Sequence, residues 1–84
     1  MRGVKDKILD QLRELPDQVA YVFAEDEQGV DWEVATQKKE HGYNVWVRKD
    51  GKVFDNLRGS SNDAESAAEM VERFMNDVLQ GSFS

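Results

Sequence analysis

The stretch YNVWVRKDGKVFDNLR at residues 43–58, followed by SNDAESAAEMVERFMNDVLQG at 61–81, decides the fold of this chain. Its first part alternates apolar and polar residues on either side of Asp50-Gly51, the pattern of a β-hairpin. Two registers compete there. A two-residue turn at Asp50-Gly51 sets Trp46 against Asp55 and Val53 against Arg48, mixing apolar and charged residues on both faces. A three-residue loop of Lys49, Asp50 and Gly51 pairs Val47 with Val53 and Tyr43 with Leu57. It sets Trp46 against Phe54 on the opposite face. The second register keeps one face apolar and is the expected one, since a slip of one residue moves every side chain across the sheet.

The second part reads as a helix with Ala64, Ala67, Ala68, Val71, Phe74, Met75 and Val78 on one face. Asn62 is the expected N-cap, with Glu65 three residues later at the capping-box position, and Gly81 is a natural stop. Val71 and Phe74 should enter the core against Val34, Val45 and Val47.

Working outward, Val30, Trp32, Val34 and Thr36 alternate with Asp31 and Glu33 in a half-buried strand over 30–38. A four-residue turn at 39–42 sets Val34 opposite Val47 and Thr36 opposite Val45, so the apolar sets match. The segment VAYVFA at 19–24 is rich in β-branched and aromatic residues and reads as a strand, although Asp17 after Pro16 would also suit the cap of a short helix. EDEQG at 25–29 is a turn. Val4, Ile8, Leu12 and Leu15, with Leu9 beside them, form one stripe of an N-terminal helix that Pro16 ends. The fold class is therefore α+β, ordered αββββα: an antiparallel meander of three or four strands with both terminal helices on one face. Residues 1–84 form one domain, and 82–84 are expected to be a frayed tail.

At 84 residues the chain has room for a single, marginal core. It has no cysteine, so neither disulfides nor thiolate metal sites support that core. The N-terminal segment is charged every few residues and resembles neither a signal peptide nor a membrane span. A cytoplasmic protein without membrane association is expected.

The net charge of −6 opposes bulk attraction to nucleic acid or anionic lipid. The charge is also segregated. Seven acids and no Lys or Arg lie between Glu14 and Glu33, whereas six bases and three acids lie between Lys38 and Arg58. The final helix turns acidic again.

Catalytic chemistry is poorly provided for, and the chain is expected not to be an enzyme. His41 is the only histidine and falls in the KEHG turn, so it offers no metal cluster. Ser60 and Ser61 border a helix N-terminus, where capping is the ordinary role, and no G-x-S-x-G or S-x-x-K arrangement marks a nucleophile. Glu25, Asp26, Glu27 and Asp31 crowd one turn without the ligand spacing of a calcium loop. Gly51, Gly59 and Gly81 are isolated and make no phosphate loop. No cofactor or metal is expected.

Two features point to binding. Trp46 and Phe54, flanked by Arg48, Lys49 and Lys52, combine the residue types that concentrate energy at protein interfaces with those that stack single-stranded bases. Glu65, Glu69 and Glu72 repeat at helical spacing as an acidic stripe.

Gly51-Lys52, Ser60, Ala64 and Ala68 fall at spacings similar to the third strand and last helix of a double-stranded-RNA-binding domain. Residues 32–75 resemble the βββα unit of that family. The positions of the family's RNA-contacting lysines are Ser61, Asn62 and Glu65 here, so the resemblance implies topology and not RNA binding.

The expected function is a small acidic protein-interaction module that regulates or inhibits a larger protein partner. Alternatives are a single-stranded nucleic-acid-binding module and a structural assembly or dimerisation subunit, for which a homodimer would suffice.

Overall fold

The computed structural model describes residues 3–81. Helix α1 spans Val4–Glu14, strands β1 to β4 span Ala20–Glu25, Asp31–Lys39, Gly42–Lys49 and Lys52–Ser61, and helix α2 spans Ala64–Gln80. The strands form one antiparallel sheet in the order β1-β2-β3-β4. Helix α2 lies across β2, β3 and β4, while α1 packs beside it against β1. The αββββα order is thus realised, with both helices on one side. Residues 20–25 are strand, which resolves the choice left open at Asp17; the expectation for 82–84 lies outside the described residues.

Alternation explains which face each strand buries. Ala20 from β1, Trp32, Val34 and Thr36 from β2, and Val45 and Val47 from β3 all turn toward the helices and are buried. They meet Ile8 and Leu12 of α1 and Ala67, Ala68, Val71, Met75 and Val78 of α2. Thr36 is the one buried polar residue among those described, and its hydroxyl donates to the Asn44 carbonyl at 2.7 Å. A buried hydroxyl without such an acceptor would be costly.

The β2–β3 register sets Val34 against Val47 and Thr36 against Val45, as the apolar matching requires. The β3–β4 register differs from expectation. Asp50 and Gly51 both take positive φ, 53° and 83°, and make the two-residue turn of type I′ geometry. Lys49 then pairs with Lys52 and Arg48 with Val53. The mixing that argued against this turn is relieved by a large bulge. Between the pairs Arg48–Val53 and Trp46–Arg58, β3 advances two residues while β4 advances five. Trp46 therefore faces Arg58 and not Asp55, and Phe54 turns under the sheet against Trp32. Matching apolar residues pair by pair cannot anticipate a bulge that resets the register partway along a strand.

Three local expectations also need correction. The N-cap of α2 is Asp63, whose Oδ1 accepts from the Ser66 amide at 2.7 Å, and not Asn62. Phe74 is only half-buried; Met75 holds the central position beside Val71. Leu15 lies beyond the end of α1 and is 59% exposed, because the chain leaves the helix there ahead of Pro16.

Candidate interaction face

Placing both helices on one side leaves the other face of the sheet open. Its residues run in rows. Tyr21, Ala35, Trp46 and Arg58 face one another across the four strands, and Phe23, Glu33, Arg48 and Val53 form the next row. Neighbouring strands lie about 4.8 Å apart, so side chains within a row touch. Ala35 is fully buried although no helix covers it; it is the small residue paired with Tyr21 on one side and Trp46 on the other.

Tyr21 and Phe23 meet edge to face, ring centroids 5.0 Å apart, and remain 43% and 66% exposed. Trp46 is half-buried, and Arg48, Val53 and Arg58 are exposed. The Arg58 guanidinium lies 3.6 Å from Asp55. The face thus carries three aromatic rings with both signs of charge around them.

The residues singled out from the sequence divide between the two sides. Trp46 and Arg48 belong to the open face. Phe54, Lys49 and Lys52 do not: Phe54 packs edge-on against Trp32 at 5.4 Å, and Lys49 Nζ lies 5.4 Å from the Trp32 ring centroid. Lys52 pairs with Lys49 and shares its side. Trp46 and Phe54 consequently form no common patch. Tyr21 and Phe23 take the place of Phe54 beside Trp46. Their signal was the inverse alternation of β1, whose small residues Ala20 and Ala24 face the core, but it becomes legible only once Tyr21 is known to oppose Ala35.

The acidic stripe of α2 is engaged within the molecule. Lys5 Nζ lies 2.9 Å from Glu69 and 3.2 Å from Glu65, and these two carboxylates raise its pKa, Glu69 most. Glu72 Oε2 accepts from the Lys5 backbone amide at 3.2 Å. That carboxylate closes the first turn of α1, whose N-cap Gly3 has no side chain to do so. Glu65, Glu69 and Glu72 therefore join the two helices.

The crowded acids of the β1–β2 turn are organised around Asp26. Its carboxylate accepts from Trp32 Nε1 and the Gln28 amide, each at 2.8 Å, and from the Val30 amide at 3.0 Å. The indole contributes most to holding the Asp26 pKa below its ordinary value, with the Val30 amide next. Asp26 thereby anchors the largest core side chain, Trp32, from outside. Among the described residues no group of three or more His, Asp or Glu is arranged to hold a metal ion. No helix among them is long and apolar enough to cross a membrane. His41 is 90% exposed at the β2–β3 turn, 4.0 Å from Glu40.

No family model matches this chain, and no curated protein or solved structure matches it either.

Proposed function

We propose that this is a small acidic, non-enzymatic protein-interaction module of the cytoplasm, one that regulates or inhibits a larger partner by docking through its open sheet face. The observation that carries the reading is the exposure of Tyr21 and Phe23 beside Trp46 on a face that neither helix covers. Aromatic and Arg side chains dominate binding energy at protein interfaces, and exposing them against water serves no purpose in the core. The overall charge of −6 favours a protein partner over a polyphosphate one. Single-stranded nucleic acid is the competing occupant, since Tyr21, Phe23 and Trp46 with Arg48 and Arg58 also suit base stacking.

One experiment separates the two. Partner retained from the native host by the immobilised protein is compared with that retained by Phe23→Ala and Trp46→Ala, each first shown to keep a cooperative melt. Each substitution should weaken the partner complex by about 2 kcal/mol or more if it removes a hot spot. Oligonucleotides should show no measurable affinity at moderate salt. Undiminished capture by both variants, or oligonucleotide binding that falls steeply with salt, would refute the protein-docking reading.

A further inference from the structure

The two edges of the sheet are treated differently. Strand β4 carries a bulge together with Lys52 and Arg58, features that keep an edge from pairing with another chain. Strand β1 reads AYVFAE, with no bulge, no Pro and no basic residue. Its outward backbone is already partly occupied, by a side chain. Gln11 of α1 donates from Nε2 to the Tyr21 carbonyl at 2.9 Å and accepts at Oε1 from the Tyr21 amide at 3.1 Å. A carboxamide bonded both ways to one residue reproduces what the peptide group of an added strand would do.

Antiparallel ladders alternate, so if Tyr21 points its N–H and C=O away from β2, Phe23 and Glu25 do the same. The Asp26 amide, donating to Val30 O at 3.0 Å, continues the inward set. The edge at Phe23 and Glu25 is therefore open just beyond the Gln11 clamp. Inward from this edge, across the same end of β1, β2 and β3, lies a shallow hollow of about 560 Å³ bordered by Phe23, Glu25, Asp31, Glu33, Arg48 and Asp50. Four carboxylates, those of Glu25, Asp31, Glu33 and Asp50, against the one guanidinium of Arg48 make its charge negative.

From these observations we infer that β1 accepts an extended, basic segment of a partner protein as a fifth strand. The inference rests on the protein-docking reading and adds to it the mode and chemistry of the contact. The added backbone pairs with Phe23 and Glu25 and replaces the Gln11 carboxamide at Tyr21. Its residues on the open face set an apolar side chain on the Tyr21–Phe23 rings and a Lys or Arg against Glu25 and Glu33. A second copy of this chain is a poor occupant, because its own edge strand, AYVFAE, has no basic residue to set against Glu25 and Glu33 and adds another carboxylate.

The probe is a blocked peptide, Lys-Thr-Val-Thr-Val-Thr-Lys, whose Lys and Val side chains share one face in either strand direction. Its binding is followed through the backbone amide spectrum of the intact protein. Binding should perturb residues 21–25 and slow amide exchange at Phe23 and Glu25. N-methylation of both Val residues, whose amides would face β1, should weaken binding by about tenfold or more, since paired backbone hydrogen bonds are lost. N-methylation of the Thr residues, whose amides face solvent, should not. Replacing both Lys by Glu should also weaken it. Phe23→Pro, which removes an outward N–H and leaves the β2 ladder intact, should lose binding, whereas Gln11→Ala should bind severalfold tighter.

Equal binding by the Val-methylated peptide would overturn strand addition while leaving side-chain docking on the open face intact. No binding by the unmodified peptide, or unchanged binding by Gln11→Ala, would overturn it as well. Loss of the whole protein-docking reading would show itself separately, as undiminished partner capture by Phe23→Ala and Trp46→Ala.

Discussion

Glu72→Ala tests how the two helices depend on each other. Helix α1 starts at Gly3, whose backbone is extended (φ −87°, ψ 179°) and which offers no side-chain cap. Glu72 Oε2, reaching across from α2, accepts from the Lys5 amide at 3.2 Å in a partly buried setting. Removing an N-cap acceptor costs about 1 kcal/mol. Withdrawing a carboxylate from a helix N-terminus adds roughly 0.3–1 kcal/mol. In a domain of this size a loss of about 1 kcal/mol lowers Tm by about 4–8 °C.

A second substitution makes the origin of that loss visible. A Cβ built at Gly3 lies 3.3 Å from Glu72 Oε2. Gly3→Ser in the native background therefore crowds a carboxylate that already caps the helix, and should gain little. With Glu72→Ala the crowding disappears, and the new hydroxyl can accept the same first-turn amides. A double-mutant cycle on urea midpoints should return a coupling of about 1 kcal/mol, with the serine rescuing the alanine. Additive behaviour, or a Glu72→Ala midpoint equal to the native one, would refute the cross-helix cap. Glu65→Ala is the control, because its bridge to Lys5 involves a side chain 71% exposed and exposed pairs contribute about 0–1 kcal/mol.

Two further outcomes are expected. Gly42 and Gly51 both have positive φ, 135° and 83°, but a Cβ at Gly42 would overlap the Ser61 carbonyl oxygen, whereas one at Gly51 meets nothing within 4 Å. Gly51→Ala should cost about 1–2 kcal/mol from backbone strain alone, and Gly42→Ala roughly 3 kcal/mol or more because β4 must also move; equal denaturation midpoints would contradict the close approach. The Asp26 pKa is lowered in the folded protein, so its contribution to stability is present above the ordinary value of 3.8 and is lost as pH falls through the folded value. Asp26→Asn should accordingly be less stable than the native protein at neutral pH, and the difference should shrink below pH 3.8; a gap independent of pH would show that the charge on Asp26 is not what the Trp32 indole uses.

Much of the architecture is local information. The stripe of Val4, Ile8 and Leu12 and the break at Pro16 specify one helix, and the face of Ala67, Ala68, Val71 and Val78 with Gly81 after it specifies the other. The β2–β3 register follows from the same logic, since a slip of one residue would separate Val34 and Thr36 from Val45 and Val47, and the tight turn between Lys39 and Gly42 selects among the alignments that keep them together. Periodicity of 3.6 or 2 residues acts over a few neighbours, and burial enforces it. The β3–β4 register escaped that logic. Its outcome involves Trp32, a residue of a different hairpin, against whose ring Phe54 packs on the helix side while Trp46 stays on the other side. The candidate site shares this dependence. That Tyr21 flanks Ala35 and Trp46, that Gln11 occupies the β1 edge, and that Glu72 caps a helix 67 positions away are contacts between segments distant in sequence. No propensity or spacing encodes them, because each exists only when the packed core brings those segments within hydrogen-bond or van der Waals reach.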